Sequence, residues 1–265
     1  MSVKKNRPLY ITMILILLII VLFIVFNQKG NEKKVTVKQQ NPKIISNLYL
    51  DFENAIINGG SVVSNDQNLV AQDSIDNVNV EIDKAREGDK SISLKLAPKE
   101  GRKELRVIDI PNNTTKYIGF SVYFPKETQI PTSWNLFAQW WQGAPASPPI
   151  AFEITPETND FKMRILTRSG PYEQNNITVQ YNESIEKEKW IDFVIEMRVD
   201  DSGGLNGILN VWKDSKQIVN YKGALGYPNL LDKTNFRFGL YRHPSINSPI
   251  KIYFDNIMIG DRLKK

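Results

Sequence analysis

With 265 residues, 41% of them hydrophobic, and no cysteine, the chain can bury the core of one large or two modest domains, and disulfide staples and thiolate chemistry are excluded. The formal charge of +5 is local: residues 1–34 hold six Lys and Arg against one Glu, and taking these from the totals of 34 and 29 leaves 28 of each sign. A neutral body removes the electrostatic case for nucleic acid and for long-range steering of a polyanion, so attraction for an acidic ligand has to come from a local cluster.

Residues 1–8 are a short basic N-terminus with Lys4, Lys5 and Arg7, and residues 9–26 follow as 18 positions without a charge. At about 1.5 Å per residue that stretch is just long enough to cross a hydrocarbon core as one transmembrane helix. Asn27, Gln28 and Lys29 come next in place of a small-x-small cleavage pattern, which favours an uncleaved anchor; a cleaved signal and a secreted product are the alternative. Basic residues flank the stretch on both sides, so orientation rests on the bulk of the chain, and a long cysteine-free domain behind a short basic terminus is expected outside the membrane. Residues 27–47 are polar, rich in Lys and Gln, and read as a tether. The folded domain is expected over residues 48–265.

Within that domain the signals are strands and turns. LYLDFEN, SISLKLA, RVIDI, IGFSVYF, FKMRILT, ITVQY, WIDFVIEMRV, GILNVW, QIVNY, FRFGLY and IKIYFDNIMIG follow in order, mostly with a period of two and bounded by Gly, Pro, Asn or Asp. Asp201–Gly204 and Lys213–Lys216 mark hairpins. No segment carries a convincing apolar 3.6 period, so the fold class is all-β, an antiparallel sandwich or jelly roll, expected as a monomer.

Two segments depart from an ordinary solvent face. In FRFGLYRHP, alternation puts Phe236, Phe238 and Leu240 on one side and Arg237, Gly239, Tyr241 and His243 on the other. In FAQWWQGAPASPPIAFEI, Ile150, Phe152 and Ile154 form the apolar side of the second half, with Glu153 opposite, while Phe137, Gln139 and Trp141 share a face of the first. Trp140 must point away from Trp141, so one of the two is expected in the core. A phenol, a guanidinium, a carboxamide, an indole and the chain's one imidazole suit gripping a sugar polymer or moving a proton on one.

The order of DFEN, GDKSISLKL, GFSVYFP, WIDFVIEMRVD, NVWKDSKQIV and IYFDNIMIGD resembles the concanavalin A-like jelly roll of polysaccharide-acting proteins. More narrowly it is similar to the heparin lyase I and glucuronan lyase group of polysaccharide lyases, over roughly residues 48–262. GRKELRV resembles that group's Arg-x-Glu-x-Arg strand, placing Arg102, Glu104 and Arg106; Gln139 matches its glutamine, Arg237 stands at its lysine and Tyr241 at its tyrosine. Where the group has a histidine this chain has Trp141, and indole cannot accept a proton.

The resemblance implies β-elimination on a uronate-containing glycan. Gln139 with Arg102 or Arg106 is then expected to neutralise the carboxylate, and Tyr241 to act as base and acid if both transfers occur on one face of the sugar. A phenol of pKa about 10 needs a cation to favour its anion; Arg237 is expected to supply it, Gly239 to leave room for a ring, and His243 to replace the lost histidine. Blander readings stand beside these: a self-neutralising Arg102–Glu104–Arg106 ladder, a Tyr241–Arg237 pair covering the sheet, a core indole at Trp141, a solvated Glu153 and a loop role for His243. A structural Ca²⁺ is permitted by the resemblance, with Asp51, Glu53 and Asp255 as hard oxygen ligands. The rival functions are a non-catalytic glycan-binding module, favoured by Trp141, and a glycoside hydrolase, disfavoured because paired strand carboxylates are missing.

Overall fold

Apolar alternation does make strands here, and the computed structural model, which describes residues 42–129, 132–156 and 161–264, arranges them in two sheets. The strands are β1 (Ile44–Leu50), β2 (Ile56–Asn58), β3 (Ser61–Ser64), β4 (Gln67–Gln72), β5 (Val78–Glu81), β6 (Ser91–Leu96), β7 (Arg102–Pro111), β8 (Lys116–Tyr123) and β9 (Asn135–Trp141). They continue as β10 (Ile150–Pro156), β11 (Phe161–Ser169), β12 (Asn176–Ser184), β13 (Trp190–Arg198), β14 (Gly207–Lys213), β15 (Lys216–Gly223), β16 (Lys233–Arg242) and β17 (Ile250–Leu263). The only helical element among the described residues is a 3-10 turn, Tyr172–Gln174. No described helix is long and apolar enough to cross a membrane; the expected anchor, residues 9–26, lies outside the described residues.

One sheet runs β15-β14-β13-β8-β17-β6-β5, with β1 also paired on β17; the other runs β12-β11-β10-β9-β16-β7-β4-β3-β2. The pairings are antiparallel, and the all-β sandwich expected from the sequence is what forms. β1 begins at Ile44 and pairs with the end of β17, so residues 44–47 of the expected tether are strand. Asp214 and Ser215 both have positive φ (47° and 74°), the left-handed pair that a two-residue hairpin requires, and they turn β14 into β15.

The core lies between the sheets. Phe236, Phe238 and Leu240 of β16 are fully buried, as alternation demands; Phe120 meets Phe236 and Phe254 meets Phe238, with Phe152 and Phe193 packed on Phe120. Trp140 stacks on Phe236 with ring centroids 4.9 Å apart, so it is the member of the Trp pair that belongs to the core. Each such side chain contributes about 1.5–3 kcal/mol by leaving water, which ties β16 to the middle of its sheet. That placement matters most for function: β16 sits between β7 and β9, so Phe236–Tyr241 and Phe137–Trp141, about a hundred positions apart in sequence, become neighbours.

Strict alternation fails at one point. Phe137 does not share a face with Gln139; it is buried among Phe124, Phe152 and Phe193. The register of β9 slips there against both neighbours, Leu136 pairing with Glu153 and Tyr241 while Ala138 pairs with Phe152 and Phe238. A bulge of this kind inserts an extra residue and turns one side chain to the other face, so Leu136 takes the outward position.

Candidate active site

The outward face of the second sheet is assembled row by row from strand register. Arg237 is the Cα partner of Gln139 on one side and of Arg106 on the other. Tyr241 is the partner of Leu136 and of Arg102, and Glu153 of Leu136 and Arg164. Over these rows lies a cleft of about 580 Å³, lined by Arg102, Trp134, Gln139, Trp141, Arg237 and Tyr241 toward one end and by Glu153, Arg164, Arg168 and the 144–148 loop along the other wall.

Arg237 is 4% exposed. Its Nε donates to Asn235 Oδ1 at 2.5 Å, and its guanidinium carbon lies 4.4 Å from the centroid of the Trp141 ring, a cation–π contact. Burial pulls its pKa below the usual guanidinium value, with the Glu104 charge opposing. Gln139 is equally buried, and its Nε2 donates to Glu104 Oε1 at 2.5 Å. Glu104 lies beneath, 1% exposed; burial raises its pKa, opposed by the Gln139 hydrogen bond and by the charges of Arg102 and Arg237. Glu104 therefore orients the carboxamide from below and is not one of the residues lining the cleft.

The expected clamp divides. Arg102 is half exposed, 3.4 Å through Nε from Glu104 Oε2, and its guanidinium carbon lies 3.8 Å from the centroid of Tyr241. Arg106 turns instead to Asp109, with Nε donating at 3.1 Å, and Asp109 is shared with Lys233 at 3.0 Å; Arg106 does not line the cleft. The cation set over the phenol is thus Arg102, while the Arg237 guanidinium lies over Trp141. Trp141, half buried, donates Nε1 to Ala146 O at 2.9 Å, which fixes the indole as a wall and rules out the core-indole reading.

Two expectations are corrected. Gly239 does not make room for a sugar ring: at φ +134° a Cβ there would stand 2.3 Å from Lys103 O and 2.8 Å from Glu104 Cα, so glycine is required by the close approach of β7. His243 lies past the strand, outside the cleft lining. Its Nδ1 accepts from the Ser245 N–H at 3.1 Å and is 2.6 Å from Ser245 Oγ, and its ring meets Trp134 edge to face at 5.8 Å. It holds a turn and does not replace the missing histidine.

Glu153 is not solvated; it is 3% exposed, and one of its oxygens accepts both Nε (2.8 Å) and Nη2 of Arg164. Three further residues line the cleft beyond those the sequence singles out: Trp134, edge to face with Tyr241 at 5.2 Å, Arg164, and Arg168, whose Nη1 donates to Pro148 O at 2.7 Å. Burial lowers the Arg168 pKa. The signal for the arginines was the polar face of FKMRILTRS, on which Arg164, Leu166 and Arg168 alternate with Met163, Ile165 and Thr167. Among the described residues neither Arg168 nor Arg237 forms an ion pair with a carboxylate. A buried or partly buried guanidinium without an anion is costly, and the cleft can recover that cost by taking one up.

The residues proposed for calcium do not fit a metal. Glu53 Oε1 accepts the N–H groups of Asp89 and Lys90 at 2.9 Å each, Asp255 Oδ2 accepts those of Arg86 (2.7 Å) and Glu87 (3.3 Å), and Asp51 Oδ1 accepts that of Glu53 (3.2 Å). Glu53 and Asp255 fasten the loop at residues 86–90 while Asp51 holds the turn at Glu53, and no group of three acids or histidines among the described residues is arranged to hold a metal ion.

Comparison with known proteins bears on the family and the fold. A family model described as polysaccharide lyase matches residues 57–258. The solved endo-β-1,4-glucuronan lyase of the fungus Trichoderma reesei is similar with a TM-score of 0.61 and 15% identity, covering 82% of this chain and 96% of that one. An alginate lyase from Chlorella virus gives 0.54 and 13%, covering 82% and 100%. An alginate lyase variant solved with alginate trisaccharide gives 0.53 and 11%, covering 83% and 99%. At these identities the likeness is one of fold. No curated protein sequence matches the chain.

Proposed function

The chain belongs to the polysaccharide lyase family, and from that premise we propose that it cleaves a uronate-containing polysaccharide by β-elimination, with Tyr241 as both base and acid. The observation that carries the reading is the cross-strand pairing of Arg237 with Gln139 in one cleft that also holds Tyr241. Glucuronan and alginate, the polymers named for the structural relatives, are both chains of uronic acids, and a cleft with four guanidinium groups and one lining carboxylate suits such a chain.

In this mechanism the substrate carboxylate lies against Arg237 and the Gln139 amide, which neutralise it and stabilise the enolate-like charge that develops when the C5 proton leaves. A preorganised donor of this kind contributes about 10²–10³ in rate. Tyr241 takes the C5 proton, the C4–O bond breaks as the C4=C5 bond forms, and the phenol returns the proton to the departing oxygen. Arg102, lying over the Tyr241 ring, places positive charge beside the group that must hold a negative one between those transfers. Trp141 and Trp134 offer apolar faces to sugar rings. The uncharged stretch of residues 9–26 would hold the domain at the outer face of the cell membrane.

The test is to incubate the full-length protein with a panel of uronic polysaccharides and read the absorbance of unsaturated ends. Tyr241→Phe should lower the rate by about 10²–10⁴ while binding persists. Binding without product from the wild type would instead favour a glycan-binding module, and new reducing ends without unsaturation would favour a hydrolase.

A further inference from the structure

β-Elimination requires a proton to be taken from C5 and another to be given to the oxygen on C4. Where that hydrogen and that oxygen lie on the same side of the sugar ring, one group can do both in turn. Where they lie on opposite sides, a group that reaches one cannot reach the other, and a second proton-transfer group is needed across the ring.

The cleft has one such group in a usable state. Its arginines keep their protons. Gln139 is an amide bonded to Glu104, and Glu104 is sealed beneath it. Trp141 presents an indole whose N–H is already bonded to Ala146 O. His243 is outside the lining, with Nδ1 held by Ser245. Glu153 is the one other proton acceptor of note on the walls; it stands two strands from Tyr241 across Leu136, about 10 Å at the backbone, and Arg164 grips it through two donors. Tyr241 is left to act alone.

Resting on the β-elimination reading above, we propose that the cleft is selective for ring configuration: it cleaves at uronates whose C5 hydrogen and C4 oxygen are on the same side, as in D-glucuronate and D-mannuronate, and turns away those in which they are opposed, as in L-guluronate, L-iduronate and D-galacturonate. Tyr241 sets the preference, because its partner on β9 is Leu136 and the ring against it is Trp134, neither of which can exchange a proton. The electrons balance without a co-reactant. The C5–H pair becomes the new double bond, the C4–O pair leaves with the oxygen, and the proton held by Tyr241 goes to that oxygen.

The experiment compares the full-length protein on four homopolymers, poly-D-glucuronate, poly-D-mannuronate, poly-L-guluronate and poly-D-galacturonate, by the appearance of unsaturated ends. The expected result is cleavage of one or both of the first pair, at least about 10²-fold faster than either of the second, the contribution of one positioned acid or base. Comparable rates on polyguluronate or polygalacturonate would overturn the selectivity while leaving β-elimination intact; if Glu153→Gln then abolished only those rates, Glu153 would be the second group. No unsaturated product from any polymer would overturn both.

Discussion

The outward faces of the two sheets carry similar charged residues and use them in opposite ways. On the β8/β13/β17 face three cations are held by anions: Arg86 by Asp192 at 2.8 Å, Lys251 by Glu81 at 2.8 Å, and Lys116 by Asp261. On the β9/β16 face Arg237 rests on an indole and an asparagine oxygen, and Arg168 on a backbone carbonyl. The difference teaches where to look for a ligand. A paired surface charge adds little in either direction, whereas a buried or partly buried guanidinium without a carboxylate partner persists against its desolvation cost and points to an anion from outside the chain.

The comparison breaks first at Arg237. Arg237→Gln should reduce kcat/KM on a uronic polymer by about 10²–10³, while Arg86→Gln on the paired face should leave turnover unchanged and cost no more than about 1 kcal/mol of stability. Equal effects on turnover would erase the distinction between the faces. The assay is initial rate of unsaturated-product formation, with urea unfolding for the stability arm.

A second effect belongs to the paired face alone. Asp255 is fully buried at the back of that sheet, and burial pushes its pKa up to about 6 from 3.8 despite the N–H bonds it accepts from Arg86, Asn256 and Glu87. Its folded value lies above its unfolded one, so the folded state binds the proton more tightly. The contribution is fully present below about pH 4 and is lost as pH rises through about 6, a cost of about 3 kcal/mol at neutral pH. The stability of wild type minus that of Asp255→Asn should therefore fall by that amount between pH 4 and pH 7 in urea titrations; a flat or rising difference would contradict it.

The smallest effect sharpens the comparison within the cleft. Arg168 is on β11, three strands across from β16, and its row meets β16 near Phe236, five residues along from Tyr241; it stands more than about 14 Å from Tyr241 at the backbone and is placed to meet an acid group further along the polymer. Arg168→Gln should raise KM for long chains about tenfold, the value of one charged hydrogen bond, with kcat retained and little change for the shortest cleavable oligomers. A fall in kcat equal to that of Arg237→Gln would make the two arginines one unit.

Much of this was legible in the sequence, for definite reasons. FRFGLY alternates without interruption, so the sides taken by Phe236, Arg237, Phe238 and Tyr241 could be read directly, and the Trp140–Trp141 pair had to split. Phe137 could not be read, because a bulge in β9 depends on how two partner strands pair across it. The fate of the Arg102–Glu104–Arg106 face was equally hidden: one strand period puts the three side chains together, and only the neighbours Gln139, Tyr241 and Asp109 send them to three different partners. Gly239 is ambiguous in sequence, where a missing side chain implies space; in the fold a backbone carbonyl 2.3 Å from the would-be Cβ occupies it. Arg168 was legible as an outward arginine, but its lack of a carboxylate partner is a tertiary fact.

The central claim is that Gln139, Arg237 and Tyr241 act on one sugar residue, and a crystal structure of the full-length Tyr241→Phe protein bound to a uronate oligosaccharide tests it most directly. The account predicts a uronate carboxylate within hydrogen-bond distance of the Gln139 amide and the Arg237 guanidinium, with C5 of the same ring facing the aromatic ring at position 241. An oligosaccharide seated elsewhere on the sandwich, or lying in the cleft with its carboxylates turned away from Arg237, would contradict it.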